Sequence, residues 1–291
     1  ALSSAASDVY KRQLILSANL EEIPASAFAN TKLSTVRIGA KVKKICSEAF
    51  WGCGSLKELI FEENSELESI ESEAFERCGS LQNVILPESL KKIESEAFSG
   101  CSSITELIIP KNVSIIKADA FSSCTALRKL TFAEECVLQE IPRNCFRYCT
   151  SLQEVNISAR VLLLDQHAFG NCTMLSTLNF AEKSKLETIE GYCFYGDTSL
   201  KEMQIPESVQ RIGEFAYAFS GLERADLTAN ITEIGDGAFG ACALLKEFSV
   251  SEENSVYTGK ANALFDKSLQ RVYCVSAAAV GDYVCLLYTS D

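Results

Sequence analysis

The chain has 291 residues, of which 47% are hydrophobic and 23% are charged. This composition is globular, excludes intrinsic disorder and allows a large core. The 39 acidic residues outnumber the 27 basic ones and give a net charge of -12, which disfavours nucleic-acid binding. No apolar run approaches the roughly 20 residues of a membrane span, and the single histidine, His167, excludes histidine-rich zinc sites.

The two ends of the chain differ in character from everything between them. Both resemble translated sequencing-adapter read-through, and no initiating Met or secretory signal pattern is present. We expect a non-native leader at 1–13, a repeat solenoid at 14–250, a C-terminal capping unit at 251–283 and a non-native tail at 284–291. The missing signal peptide therefore says nothing about the compartment.

One aromatic residue, usually in an Ala-Phe pair, recurs every 22 to 25 residues. Cys stands three residues after it in seven units, followed by an L-x-x-L-x-I/F run and a second apolar pair. This period falls in the 20–29 range of leucine-rich repeats. The ten aromatic positions are Phe28, Phe50, Phe75, Phe98, Phe121, Phe146, Phe169, Phe194, Tyr217 and Phe239.

Each unit predicts one coil of a solenoid. The last two apolar residues of L-x-x-L-x-I lie two apart, so both face one side of a strand, and stacked parallel copies bury a continuous core. The segment around the aromatic residue is too short for an independent helix. We therefore predict an α/β solenoid, a right-handed superhelix of about ten coils. Its parallel β-sheet lies on one side, and short helical or 3₁₀ turns lie on the other with the aromatic residues facing inward.

Turn length varies with the residue that ends the strand. In the units whose strand ends on Phe61, Phe132 and Phe180, the aliphatic residue that closes the second apolar pair lies nine residues after the Phe, whereas in units ending on Ile or Leu it lies seven residues after. Two extra turn residues thus accompany the bulkier side chain.

The pattern A-F-x-x-C-x-x-L-x-x-L-x-I-P-x-x-V-x-x-I resembles the BspA-like leucine-rich repeat family over about residues 14–250. The resemblance implies an extracellular or cell-surface protein of the bacterial adhesin type, with host extracellular matrix among its partners. The family often ends its solenoid with an N-x-x-Y…L-F-x-K…Y unit, so we expect a β-hairpin over the last coil, with strands at 263–265 and 269–275. The matching residues are Asn254, Tyr257, Leu264, Phe265, Lys267 and Tyr273.

The thirteen cysteines are predicted to be mostly buried free thiols. In a parallel stack the repeated Cys side chains point the same way, and disulfide geometry requires them to converge; a disulfide or metal role is the alternative. We expect Cys136, in a long turn, to be exposed, and His167 to face solvent. No hydrolase elbow, P-loop or dinucleotide fingerprint is present, so we predict no enzymatic activity, no metal and no cofactor.

Two columns of strand residues are predicted to face outward from the sheet. One is largely charged and reads as an intramolecular charge ladder or as a docking strip for a cationic partner. The other carries three consecutive Ile, explained by β-propensity or by an apolar docking patch. The residues predicted to bind a partner are Ile60, Ile85, Ile108, Glu58, Glu106, Lys129, Glu154 and Glu202.

The sequence therefore predicts a non-enzymatic scaffold that binds a protein or glycan ligand through its sheet face. It predicts no nucleic-acid partner and no membrane span in this fragment. The alternative is a structural spacer or self-associating rod whose binding domains lie outside the fragment. The ligand and the oligomeric state stay open.

Overall fold

A computed structural model describes residues 13–16, 19–202 and 205–277. Apart from Gln13, the expected leader at 1–13 lies outside the described residues, as does the expected tail at 284–291. The described chain forms a parallel-strand solenoid of about ten coils, as predicted, followed by a small antiparallel sheet. Within these ranges no helix is long and apolar enough to cross a membrane.

The described residues form strands alone as regular elements. In chain order they are β1 Gln13–Ile15, β2 Glu22–Ile23, β3 Thr35–Ile38, β4 Lys44–Ile45, β5 Glu58–Phe61, β6 Ser69–Ile70, β7 Asn83–Val84, β8 Lys92–Ile93, β9 Glu106–Ile109, β10 Ile115–Ile116, β11 Lys129–Phe132, β12 Glu140–Ile141, β13 Glu154–Ile157, β14 Leu163–Leu164, β15 Thr177–Phe180, β16 Thr188–Ile189, β17 Arg211–Ile212, β18 Arg224–Leu227, β19 Glu233–Ile234, β20 Glu247–Val250, β21 Tyr257–Lys260, β22 Ala263–Asp266 and β23 Val272–Val275.

The L-x-x-L-x-I runs form the parallel sheet that the repeat predicts, here called the sheet face. Its hydrogen-bonded groups are β1-β3-β5-β7, β9-β11-β13-β15 and β18-β20. Equivalent residues pair in register, so that Leu107 lies beside Leu130 and Leu130 beside Val155. Side chains alternate between core and solvent along these strands, which places the two predicted columns on the outer surface.

A second parallel sheet, which the sequence analysis did not predict, runs along another side of the solenoid. It consists of two-residue strands in two groups, β10-β8-β6-β4-β2 and β12-β14-β16-β17-β19. The second residue of each strand is a buried Ile or Leu, such as Ile70 or Ile93. The apolar pair that closes each repeat unit therefore extends the core and also joins neighbouring coils by backbone hydrogen bonds.

The segments around the aromatic positions, here called the turn face, contain no helix within the described chain, so the predicted helical or 3₁₀ turns are not confirmed. At 46–53 the N–H groups alternate between local and inter-coil acceptors. Trp51 donates to Glu48 O at 2.9 Å, while Phe50 donates to Ala74 O of the next coil at 2.8 Å. Glu48 has a φ of 57°, in the left-handed region that interrupts helical geometry. Pairing between coils thus replaces helix formation.

The ten aromatic side chains form one inward stack, as predicted. Successive ring centroids lie 5.1 to 5.7 Å apart, and the rings are within 12° of parallel. All except Phe28 at the first coil are fully or almost fully buried. Parallel coils repeat at about the strand spacing, so each ring packs on its two neighbours.

The repeated cysteines line this aromatic stack as buried free thiols, and none of the twelve described cysteines forms a disulfide. Each thiol donates to the carbonyl oxygen of the aromatic residue one coil earlier. Cys78 Sγ lies 3.3 Å from Phe50 O, and Cys172 Sγ lies 3.2 Å from Phe146 O. Burial raises the pKa of Cys101 and of Cys172 well above the usual thiol value, which keeps these side chains as neutral donors.

Two expectations about exposure are wrong. Cys136 is buried, because the long turn folds back on the preceding coil: Cys136 Sγ lies 3.6 Å from Pro110 O, and Val137 N donates to Lys111 O. His167 is half-buried, because its ring stacks on Tyr192 of the next coil at a centroid distance of 4.8 Å. Both residues are covered by neighbouring coils.

The C-terminal unit is a three-stranded antiparallel sheet, β21-β22-β23. The structure places strands near the two segments expected for the hairpin and adds β21, which was not expected. Asn254 is buried and donates to Thr228 O at 2.8 Å and Ile231 O at 2.9 Å, while its Oδ1 accepts from two backbone N–H groups. Cys274 Sγ lies 3.5 Å from Phe239 O and so continues the thiol pattern beyond the last coil. We propose that this unit is the solenoid's C-terminal cap.

Replacing Asn254 by Ala is expected to loosen this C-terminal unit. The substitution removes two donated and two accepted hydrogen bonds at a buried site and leaves buried carbonyl oxygens unpaired, at a cost of about 1–3 kcal/mol. Amide hydrogen exchange at Val256 and Tyr257 should accelerate by about tenfold or more. Asn112→Ala is the matched control, because this exposed Asn donates one hydrogen bond, to Glu88 O. Equal effects of both substitutions would contradict the assigned role of Asn254.

Candidate functional site

The predicted Ile column is the most exposed apolar feature of the sheet face. Ile85 is 83% exposed and Ile108 60%, the two largest values for any big apolar side chain in the described ranges. Ile60 is half-buried. Scattered apolar side chains are normal on protein surfaces, but two largely exposed Ile on one face create free apolar area for a partner.

The exposure of Ile85 follows from a break in the sheet face. Strand β7 has only two residues, and it pairs with β5 through Glu58 and Leu59. The described pairing stops before Ile60 and Ile85, and β9 belongs to the next hydrogen-bonded group. Ile85 thus lies just beyond a short strand end. The three Ile are therefore not joined by one continuous strand ladder.

The charged column is partly paired within the molecule. Lys129 Nζ lies 3.2 Å from Glu154 Oε1 on the adjacent strand, and Arg224 lies 2.9 Å from Glu247 in the same way. Hydrogen bonding from Asn156, followed by that from Lys129, lowers the pKa of Glu154. The charge-ladder interpretation therefore describes these positions.

Three members of the charged column are free of such pairs. Glu58, Glu106 and Glu202 are exposed, and no basic side chain of the described chain lies within 4.0 Å of their carboxylates. Thr35 Oγ1 donates to Glu58 at 3.4 Å. Glu58 and Glu106 lie on strands β5 and β9, which also carry Ile60 and Ile108. The structure thus combines apolar and acidic side chains on the same part of the sheet face.

An aromatic cluster that the repeat pattern did not predict lies on the turn face. Tyr192 stacks between His167 and Phe215, with centroid distances of 4.8 and 5.2 Å, and Tyr195 lies 5.2 Å from Phe219. Burial, reinforced by two nearby arginines, lowers the pKa of His167. His167, Tyr192 and Phe215 each stand two residues before the stacked aromatic residue of their own coil. Earlier units carry acidic residues at this position, such as Glu73, Glu96 and Asp119. Reading that column along the chain would have revealed the cluster.

One buried acid interrupts the thiol pattern. Asp197 takes the place of the repeated Cys and has no exposed surface; its Oδ1 accepts from Cys172 N at 2.8 Å, and its Oδ2 has no partner. Burial raises the pKa of Asp197 well above its usual value. The hydroxyl of Tyr217 in the next coil is also buried and unpaired. Neither residue lines any of the surface grooves formed by residues within 132–182, 184–255, 180–208 and 248–267.

The described residues contain no group of three or more His, Cys, Asp or Glu side chains that could hold a metal ion. The repeated thiols are spread along the core, one in each of seven coils, and burial raises the pKa values of Cys149 and Cys172. They form a structural column whose spacing follows the coils.

Comparison with solved structures shows the same fold in bacterial leucine-rich repeat proteins. A protein from Bacteroides ovatus aligns with a TM-score of 0.61 and 23% identity, over 81% of this chain and 57% of that one. The pneumococcal vaccine antigen PcpA aligns with a TM-score of 0.50 and 21% identity, over 81% and 69%. A protein from Eubacterium ventriosum gives 0.50 and 19%, over 72% and 64%. The chain spans little more than half of the B. ovatus protein.

Sequence comparison gives the family directly. No curated protein matches the chain. The family described as "BspA type Leucine rich repeat region (6 copies)" matches residues 21–138, 68–185 and 175–284, which together cover most of the sequence. These matches include the aromatic stack, the thiol column and both parallel sheets apart from strand β1. The chain belongs to the BspA-type leucine-rich repeat family.

Proposed function

We propose that this protein is a non-enzymatic binding scaffold, displayed on a cell surface or secreted, that holds a protein or glycan partner of the adhesin type on its sheet face. Membership of a leucine-rich repeat family supports a binding role, because stacked repeats create the extended surfaces that solenoid proteins use for binding. The surface location and the matrix partner follow from the family resemblance alone.

The exposure of Ile85 and Ile108 beside the unpaired Glu106 is the observation that carries the proposal. Burying two exposed Ile side chains against a partner contributes about 1.5–3 kcal/mol each. An unpaired carboxylate next to them favours a partner with a complementary positive group and adds specificity. The two exposed Ile side chains therefore supply affinity, and the unpaired carboxylates of the charged column orient the partner.

The double substitution Ile85→Glu, Ile108→Glu is expected to abolish partner binding without unfolding the protein. Both side chains point to solvent, so the folded state loses little, whereas two new charges in an apolar contact are costly. The measurement is a pull-down of purified extracellular matrix proteins with the wild-type chain, followed by titration of any captured protein by surface plasmon resonance. We expect an affinity loss of about 100-fold or more.

The control adds the same two charges at Thr177 and Ser249, which lie on the sheet face away from the Ile pair. Binding should persist in this variant. Equal loss in both variants would show that overall charge, and not the Ile pair, governs binding. If the wild-type chain captures no matrix protein, the result favours the alternative of a spacer or self-associating rod, for which analytical ultracentrifugation gives the oligomeric state.

A further inference from the structure

A groove crosses one edge of the solenoid between two long turns. Residues 132–135 and 179–182 form its walls, and the short turn 158–160 forms its floor. Its volume is about 520 Å³, within the range of 300–1,000 Å³ that is usual for ligand sites. We call it the inter-ridge groove. Its lining residues are distinct from the Ile pair of the sheet face.

The groove arises from turn length. The units that end on Phe132 and Phe180 carry two more turn residues than the unit between them, which ends on Ile157. The strands of these three units pair in consecutive order, β11-β13-β15. The two walls therefore stand two strand spacings apart, about 9.6 Å, and the short turn between them leaves space for about one polypeptide backbone.

The inner surface of the groove combines aromatic and amide groups. Phe180 is half-buried beside the groove, while Phe132 is nearly buried in the opposite wall. Asn179 Nδ2 donates to Asn156 Oδ1 at 2.9 Å, and Asn156 Nδ2 donates to Glu154 at 2.8 Å. This hydrogen-bonded chain fixes the orientation of both amides. The exposed Asn179 retains donor and acceptor capacity for a ligand backbone.

The rim of the groove is acidic. Glu134, Glu135 and Glu182 are exposed, and no basic side chain of the described chain pairs with them, while Arg160 is the one cationic lining residue. Three carboxylates against one guanidinium give the groove a net negative charge, within a protein whose net charge is -12. Such a rim attracts positive groups and disfavours anionic ones.

We propose that the inter-ridge groove binds an extended, basic segment of a partner polypeptide. One backbone fits between the walls. The side-chain amides of Asn156 and Asn179 hydrogen-bond to its peptide groups, and Lys or Arg side chains of the segment pair with the three rim carboxylates. An extended chain presents alternate side chains to opposite sides, so basic residues at every second position suit this geometry. The proposal does not rest on the Ile pair of the sheet face.

The test uses the peptide fluorescein-(Lys-Thr)₄-amide and measures fluorescence anisotropy at two salt concentrations. The central variant is Ala159→Trp, which fills the groove from its floor and leaves the net charge unchanged. We expect this variant to weaken binding by about tenfold or more. The triple variant Glu134→Gln, Glu135→Gln, Glu182→Gln should weaken binding similarly and reduce its dependence on salt. Circular dichroism verifies that each variant is folded.

Glu63→Gln provides the matched control, because Glu63 occupies the same position in a long turn outside this groove; its peptide affinity should stay within about twofold of wild type. Undiminished binding to Ala159→Trp would overturn the proposal by showing non-specific attraction. Equally tight binding of fluorescein-(Glu-Thr)₄-amide would also overturn it. So would displacement of the basic peptide by a neutral chito-oligosaccharide, which would assign the groove to a glycan.

Discussion

Replacing Phe121 by Ala should lower the free energy of unfolding by about 3–5 kcal/mol, the usual cost of a large-to-small change in a core. Phe121 is fully buried, and its ring stacks between Phe98 and Phe146 at 5.3 and 5.4 Å. Coils of a solenoid contact only their neighbours, so the cavity weakens two successive interfaces. Urea unfolding followed by circular dichroism measures the change.

Phe219→Ala is the control for this experiment. Phe219 is also a turn-face aromatic residue, but it is 52% exposed and points away from the core. Its loss should cost less than about 1 kcal/mol, as is usual for surface positions. A similar small loss for Phe121→Ala would show that the stacked rings do not carry the stability of the solenoid.

Replacing Asp197 by Cys should stabilise the protein at neutral pH by about 1–3 kcal/mol, the cost of a poorly satisfied buried polar group. The substitution restores the residue that seven other coils carry at this position. Asp197 has one hydrogen bond to a backbone N–H and one buried oxygen without a partner. A thiol at this site is predicted to donate to Phe169 O, one coil earlier, by analogy with the other cysteines.

The pH dependence of stability follows from the raised pKa of Asp197. The folded state holds the proton more tightly than the unfolded state, so the stabilisation is fully present below the unfolded pKa of about 3.9. It is lost as pH rises from there toward the folded pKa, by up to about 1.4 kcal/mol per pH unit. The free energy of unfolding, measured at pH 4, 6 and 8, should therefore contain a contribution from Asp197 that falls as pH rises in the wild type. This contribution should be absent in Asp197→Cys.

Glu106→Gln serves as the control for this pH series. Its carboxylate is exposed on the sheet face, and a surface substitution of this kind should change the free energy of unfolding by less than about 0.5 kcal/mol. An identical slope in wild type and in Asp197→Cys would mean that Asp197 does not hold its proton in the folded state.

The sequence predicted those features that each repeat unit carries within itself. The aromatic and Cys positions recur at nearly constant spacing, so they had to fall at equivalent places in every coil and form continuous columns. The alternation in L-x-x-L-x-I likewise indicated which strand residues face outward, including Ile85 and Ile108. These predictions needed only the period of the repeat and the two-residue alternation of a strand.

The errors concern groups whose surroundings come from another coil. The pattern at 46–53 suggested a helical turn, but the N–H groups of Glu48, Phe50 and Gly52 bond to the next coil. Cys136 was expected in solvent and is covered by the Pro110 turn, and His167 stacks on Tyr192. No signal within a single unit reports these contacts, because the partners lie 22 to 26 residues away along the chain.

By itself, the sequence determined the family, the number of coils, the inward aromatic stack and the outward phase of the sheet-face columns. Only the tertiary structure decided the second sheet, the conformation of the turn face, the break after Val84 and the inter-ridge groove. The physical reason is that a repeat encodes which side of its own coil is apolar. The length and contacts of each turn acquire their effect only beside the turns stacked against it, one strand spacing away.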